Sequence, residues 1–561
     1  GYKGDTLASA LLANGVHLVG RSFKYHRPRG FIGAGVDEPN AKVQLYSGPK
    51  TEPNAVATEV ELVEGLVAKS QNCFPSVTFD LGEINNFLSR FFPAGFYYKT
   101  FMWPKNFWYK IYEPIIRKAA GLGVAPLKPD PDRYEHKYEY CDVLVVGSGP
   151  SGLASALSAA KNGARVILAE DKARFGGSLL TDEVTVGNKK GKDWADETIQ
   201  QLKSMPNVIV KNRSQVFGYY DHNMMVMFER TKDHIESPSK HKPRQRLWYI
   251  RAKEVIASTG SIERPLVFGN NDRPGIMLAS AAKEYLKVYG VLIGKKPIIF
   301  TNNDSAYDIA IDFKKNGINP IVIDIRDNSD SAAVKEAKSL NIDIRFSHAI
   351  SNAKGYLRVN SVTVGKLNEK KSDYEKLEDI SCDCICISGN WTPTVHLASQ
   401  SGNKLKFDEG INAFIPNKAK QNESTVGSAN GSFTLKKSLE EGFNKGFELS
   451  NKITKKNIKS TIPSSNERLK DEHSKFWCMP LPKNKNYKRC VDFQNDVYVS
   501  DIELAVREGF RSIEHVKRYT TLGMATDQGK TSNLNGLQLV SNIENKIVPE
   551  VGHTTFRPPY A

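Results

Sequence analysis

Gly147-Ser148-Gly149-Pro150-Ser151-Gly152 stands directly after an apolar run, Val143 to Val146, and opens a small-residue stretch with helical spacing, Ser151 to Asn162. That order suits one task, the holding of a diphosphate. Gly147 permits a tight turn, Gly149 lets bare backbone approach a pyrophosphate, and Gly152 lets the helix pack on its strand. The helix start then offers unpaired N–H groups and the positive end of its dipole to the phosphates. Eighteen residues past Gly152, after the β-rich run Ala164 to Ala169, comes Glu170, followed by Asp171. An acid at the end of the second strand can accept hydrogen bonds from an adenosine ribose, and its charge would repel a 2′-phosphate. A lone glycine motif says little. Strand, glycine turn, helix, second strand and terminal acid together are specific.

The same passage continues through Gly176-Gly177-Ser178, where two-dinucleotide-domain flavoproteins place a Gly-Gly that skirts the cofactor. The disulfide reductases among them carry a redox cysteine pair just beyond this point or in the second domain, and neither place has one here. Cys382, Cys384 and Cys386 alternate, so on a strand they share one face, and their spacing does not match zinc pairs. Buried strand cysteines are expected, and thiol or metal chemistry is not. A second strand–turn–helix begins at Lys296, but its turn reads Thr301-Asn302-Asn303-Asp304-Ser305-Ala306. Asn303 keeps a side chain where a pyrophosphate needs bare backbone, and Asp304 adds repulsive charge, so this unit reads as structural. His17, His26 and His396 read as packing or interface histidines. No catalytic residue is assigned.

The elements that must position these residues follow from the pattern around them. Residues 139 to about 455 alternate short β-rich runs with helical spacing, the signature of a parallel α/β architecture. The expected division is a small α+β unit over 1–85, an aromatic-rich connector over 86–138, and a dinucleotide-binding domain over 139–295 and 380–455. A second Rossmann-like domain over 296–379 is inserted into it; a linker over 456–474 and a small helical domain over 475–561 complete the chain. In the first unit a helix is expected over Thr6 to Asn14 and strands over Lys42 to Tyr46 and Ala57 to Leu62. In the last, one helix is expected over Asp501 to Tyr519. A connector holding Phe91-Phe92-Pro93 and Phe101-Met102-Trp103 must be covered by a neighbouring domain or a partner chain.

The 561 residues carry Lys+Arg 78 against Asp+Glu 62, a net charge of +16. The excess is mostly scattered lysine without arginine–aromatic interleaving, so a solvated surface is expected rather than a nucleic-acid partner. Seven uneven cysteines are no disulfide framework, which points to a reducing, cytoplasmic compartment. No run approaches the length of a membrane span. Residue 1 is Gly rather than Met, and the chain reads as a fragment.

Long, unusual strings extend the reading: Gly20-Arg-Ser-Phe-Lys-Tyr-His-Arg-Pro-Arg-Gly30, Pro93-Ala-Gly-Phe-Tyr-Tyr-Lys-Thr-Phe-Met102, Asn271-Asp-Arg-Pro-Gly275, Gly389-Asn-Trp-Thr-Pro393, Val491-Asp-Phe-Gln-Asn-Asp496, and Ala505 to Gly509 with Gly523 to Gly529. In these the chain resembles the α subunit of heterotetrameric sarcosine oxidases, without that subunit's carboxy-terminal folate-binding, aminomethyltransferase-like domain. The resemblance implies an α/β fold with a two-dinucleotide-binding-domain core, an amino-terminal ferredoxin-like (β-grasp) domain and a small carboxy-terminal helical domain. It implies NAD in this chain, with FAD and FMN in or against a partner β subunit, and smaller subunits completing a hetero-oligomer. Thr259, Gly260, Gly389, Gly427 and Asn430 are implied to line the same cleft. The reaction implied is oxidative demethylation of sarcosine to glycine, electrons passing to flavin and oxygen and the one-carbon unit to tetrahydrofolate. Related amino-terminal domains bind a [2Fe–2S] cluster through four thiolates, yet no cysteine precedes Cys73. The positions corresponding to the second cluster module are Asp492, Gln494, Asp527 and Ser532. No iron–sulfur cluster and no metal site are therefore expected.

Overall fold

A computed structural model describes residues 1–46, 48–96, 101–119, 121–239, 241–466 and 473–559. Parts of the connector (97–100 and 120) and of the linker (467–472) lie outside the described residues.

Two strands of 13 residues, Tyr134–Val146 and Gln245–Ala257, run parallel as the axis of a seven-stranded sheet. Val166–Ala169 and then Val208–Lys211 add in parallel on one flank. Met224–Arg230 and Ser214–Tyr220 add antiparallel on the other, and Glu423–Thr425 pairs with the carboxy-terminal end of Gln245–Ala257. The strand segment Val143 to Val146 is buried throughout, as a parallel strand covered on both faces must be. The Pro150–Lys161 helix packs on it through Leu153, Ala154, Leu157 and Ala160. Behind lies the 20-residue helix Leu435–Thr454. The two helices approach so closely that a Cβ on Gly442 would stand 2.3 Å from the Ser151 carbonyl, and one on Gly446 2.4 Å from that of Ser155. Ser155 and Ser158 seal the contact by donating to the Gly442 and Phe443 carbonyls.

The second sheet has five parallel strands in the order Ile276–Leu278, Cys384–Ser388, Pro297–Thr301, Ile321–Asp324 and Asp343–Arg345. Two of these, Ile276–Leu278 and Cys384–Ser388, come from outside the span 296–379 expected for the inserted unit. Cys384–Ser388 pairs with Pro297–Thr301 on one side and with Ile276–Leu278 on the other, long-range pairings that local patterning does not encode. Cys382, Cys384 and Cys386 are all buried and free. A three-stranded antiparallel sheet, His348–Gly355 with Val359–Leu367 and Tyr374–Ser381, flanks it.

In the amino-terminal unit the helix is Leu7–Ala13, with Thr6 and Ser9 forming a capping box. Its sheet is Glu52–Val56, Lys42–Leu45 and Ala68–Ser70. The strand expected over Ala57 to Leu62 is instead a turn, closed by Glu59 N–H donating to the Val56 carbonyl. The helix expected over Asp501 to Tyr519 is two, Val499–Arg507 and Ile513–Thr520, because Gly509 adopts φ +97° between them. Asn533–Glu544 is a third helix here.

Arg29 ties the remote parts together. Its guanidinium, 1% exposed, reaches Asp272 at 2.5 Å and Asp496 at 2.6 Å, while Arg27 meets Asp272 at 2.6 Å. The two arginines hold the Asp272 carboxyl far below the ordinary carboxylate range despite its burial. Among the described residues no helix is long and apolar enough to cross a membrane.

Candidate functional site

The glycine turn is built from the strand end outward. Gly147 takes φ +96°, and a Cβ there would sit 2.3 Å from the Ser258 carbonyl, so only glycine serves. Ser258 pins the turn by donating to the Val146 and Gly147 carbonyls. Gly152 lies beneath, where a Cβ would meet the Gly147 carbonyl at 1.9 Å. Gly149 differs from both. It caps the helix with φ −65° and ψ −176°, ordinary extended backbone, and Pro150 follows in the first turn. A Cβ on Gly149 would meet nothing within 4 Å. Neither strain nor packing asks for glycine at this position; what remains is the approach of something else.

That open side faces a cavity of about 590 Å³, within the usual range of ligand pockets. Gly147, Ser148, Gly149, Pro150 and Ser151 form its floor, and Glu170, Asp171, Gly177, Ser178, Thr259 and Gly260 also line it. The N–H groups of Ser151 and Gly152 belong to the helix's first turn, which supplies them no acceptor of its own. Gly152, Gly176, Gly389, Gly427 and Asn430 do not line the cavity. Gly152 and Gly176 lie behind the loop; Gly176 N–H donates to the Ser148 carbonyl at 3.1 Å. Gly389 N–H donates to the Arg264 carbonyl, and Gly427 N–H to Glu441. Gly427 also packs on Ser151, where a Cβ would stand 2.4 Å from Oγ. The short helix Gly427–Asn430 presents Ser428 to the cavity in place of Asn430.

Glu170 is buried and more committed than the motif suggests. Its Oε2 accepts from Ser148 N–H at 2.8 Å and Ser148 Oγ at 2.6 Å, and its Oε1 from Lys172 N–H at 3.0 Å. Burial, with the neighbouring Asp171 carboxylate, pushes its carboxyl above the ordinary range. Glu170 thus braces the loop before any ribose shares it.

Sequence reasoning missed the cavity's lysines. Lys172 pairs with Glu284 at 2.7 Å. Lys283 bridges Asp182 at 2.7 Å and Asp308 at 2.9 Å, linking the loop after Gly177 to the helix Tyr307–Lys315 of the second unit. No short-range spacing signals these pairs, because each partner lies a hundred or so residues away or in another unit. In the second unit, Asn303 Nδ2 donates to Ser388 Oγ at 2.9 Å and Asn302 Nδ2 to the Ser474 carbonyl at 3.0 Å. The side chains of this turn are thus committed to hydrogen bonds within the protein. His26 lies 2.6 Å from Asp80, and His17 is buried, which pulls its imidazole down to about 4.

Residues 142–225 match the family described as FAD dependent oxidoreductase, and residues 486–561 the sarcosine oxidase A3 domain. Sarcosine oxidase subunit alpha of Rhizobium meliloti (strain 1021) is 44% identical over 100% of this chain and 55% of that protein. Over its whole length the chain is similar to sarcosine oxidase alpha subunits. Sarcosine oxidase subunit alpha of Corynebacterium sp. (strain P-1) is 34% identical over 100% of this chain and 54% of its own length. The chain thus spans about half the length of the curated relatives it matches. L-proline dehydrogenase of P. horikoshii shares the fold with a TM-score of 0.65 at 17% identity, covering 100% of this chain and 93% of that one.

One expectation is corrected by these matches. Residues 1–73 match the 2Fe-2S iron-sulfur cluster binding domain family, which overturns the statement that the chain's cofactors are NAD here and FAD and FMN in a partner, with no iron–sulfur cluster. That statement counted thiolates, whereas membership of the family is carried by the pattern of the whole domain. Cys73 is the one cysteine within those residues. Among the described residues no group of three His, Cys, Asp or Glu could hold a metal ion.

Proposed function

We propose that this sarcosine oxidase-like chain holds an adenine dinucleotide in the 590 Å³ cavity and works as the alpha-subunit part of an amine-oxidising complex. The observation that carries the reading is Gly149: an unstrained glycine with open space at its Cβ, on the cavity wall at the start of a helix whose first-turn N–H groups have no acceptor within the helix. Gly147 and Gly149 let the diphosphate lie against backbone while Gly152 keeps the helix close beneath them, the first-turn N–H groups of the helix donate to it, and Glu170 shares Oε1 with the adenosine ribose. Gly177 and Ser178 cover the diphosphate, and Thr259 and Gly260 border the half beyond it. The dinucleotide, when bound, supplies the hydride-accepting ring.

The reaction proposed for the assembled complex is demethylation of sarcosine to glycine, with hydride to flavin, electrons to oxygen and the one-carbon unit to tetrahydrofolate. The identity to sarcosine oxidase alpha subunits supports it. A cytoplasmic complex with a β subunit and smaller subunits is proposed on the same basis. Phe87, Phe91, Trp103 and Tyr109 are 74–82% exposed, and so many large exposed aromatic side chains in one stretch of chain suit a protein partner. A free-standing oxidoreductase with a second nucleotide site is disfavoured by Asn302 and Asn303, which fill their own turn. The boundaries of the inserted unit are best drawn to include Ile276–Leu278 and Cys384–Ser388.

The test is co-purification of the chain with its partners, followed by assay with sarcosine. Oxygen uptake by the complex, absent from the separated chain, is the expected result. Uptake by the chain alone, or none by a complete complex, would overturn the assignment.

A further inference from the structure

The glycine turn has two flanks, and only one carries Glu170. Glu170 follows the strand Val166–Ala169 on one side of Tyr134–Val146, and Thr259 follows Gln245–Ala257 on the other. On the Thr259 side the wall is fastened by Thr394, whose N–H donates to the Gly260 carbonyl at 3.0 Å while its own carbonyl accepts from Thr259 Oγ1 at 2.7 Å. Two residues on lies His396, 8% exposed, at the start of the short helix His396–Gln400. Its Nδ1 is buried without a hydrogen-bond partner, a condition that calls for an explanation in a well-packed protein. Lys530, from the carboxy-terminal helical unit, lines the same cavity beside His396 and donates to the Arg557 carbonyl.

We propose that Lys530 Nζ and His396 form a carbonyl-binding corner for the redox-active ring of the dinucleotide, on the flank opposite the adenosine ribose. This rests on the dinucleotide reading above and deepens it. The diphosphate at the glycine turn with the ribose at Glu170 sends the other half of the ligand toward Thr259, into the part of the cavity that Thr394 borders and that His396 and Lys530 also line. An ammonium and a ring N–H offer donors to a ring oxygen. Burial keeps His396 neutral, with its imidazole held well below its ordinary value, and draws the Lys530 ammonium down to about 8. Asp527 and Lys517 are the charges that act on Lys530 from its own unit. The shared ligand chemistry is a carbonyl on a planar ring, found both in isoalloxazine and in nicotinamide carboxamide.

The experiment measures binding of ADP, FAD and NAD to the purified chain by calorimetry, for the wild type, Lys530→Met, Lys530→Arg and His396→Gln. ADP carries the diphosphate and ribose but no ring. The expected result is that Lys530→Met weakens whichever dinucleotide binds by about 10- to 100-fold, the scale of a hydrogen bond to a charged group, and leaves ADP within about twofold. Lys530→Arg should restore part of the loss, and His396→Gln should weaken the dinucleotide without moving ADP. Retained ADP binding certifies the fold of each variant. Equal loss of ADP and dinucleotide, or no loss of either, would overturn the corner. Wild-type protein that binds none of the three would overturn the dinucleotide reading, and the corner with it.

Discussion

Gly149→Ala separates approach of a ligand from integrity of the fold. At φ −65° the backbone suits alanine, and the new methyl would touch no protein atom within 4 Å. The folded chain should therefore hold its stability or gain about 0.4–1 kcal/mol through a stiffer unfolded state. The methyl occupies the space where a phosphate would meet the helix start. Displacing that phosphate breaks about two charge-assisted hydrogen bonds of about 1.5–3 kcal/mol each, so about 3–6 kcal/mol, or roughly 10²- to 10⁴-fold in affinity. Gly152→Ala is the control: its Cβ would stand 1.9 Å from the Gly147 carbonyl, an overpacking that costs about 1–3 kcal/mol of stability. Calorimetry with ADP and thermal melting read the two effects. Gly149→Ala should lose ligand and keep its Tm, and Gly152→Ala should lose both. Wild-type affinity in Gly149→Ala, or a melting point lowered as far as that of Gly152→Ala, would show that no phosphate lies against Gly149.

Other perturbations test the frame around the site. Arg29→Met removes the guanidinium from Asp272 and Asp496 and should cost about 3–5 kcal/mol at neutral pH, read by denaturant unfolding. Because the Asp272 carboxyl is held low in the folded protein, its contribution is full above the ordinary carboxylate pKa. It is lost as pH falls through about 4 and below, so the gap between wild type and variant should narrow there. Lys283→Met takes the ammonium from between Asp182 and Asp308; amide exchange should quicken at Asp182 to Val184 and along Tyr307–Lys315, and unchanged exchange would count against a link between the units. Burial pushes the Cys141 and Cys382 thiols up to about 12 and Cys478 to about 11. Among the cysteines, half-buried Cys73 should therefore be the fast reactor with a thiol reagent at pH 8, and blocking it by Cys73→Ser should remove the fast phase.

The glycine turn, its helix and the acid after the second strand were readable because local geometry dictates them: a φ of +96° at Gly147 and a helix packed against a strand at Gly152 leave little choice of residue. The commitment of Glu170 to Ser148 and Lys172 was not readable, since spacing places a carboxylate at a strand end without saying which N–H groups surround it. Asn430 and Gly389 were drawn in by likeness of motif, and at these two places it is Ser428 and Asn390 that line the cavity. The sheet membership of Cys384–Ser388 depends on pairing with Pro297–Thr301 across a long insertion, which no window of sequence contains. The helix break at Gly509 was visible as a glycine but hidden by apolar spacing that continued past it. Lys283, His396 and Lys530 reach one cavity from three stretches of chain, so only the tertiary fold brings them together.

The most direct measurement is mass spectrometry of the native chain, as purified and after incubation with FAD and with NAD. One adenine dinucleotide per chain is expected, released on denaturation and lost in Gly149→Val. Protein that stays free of any such molecule under all three conditions would contradict that expectation.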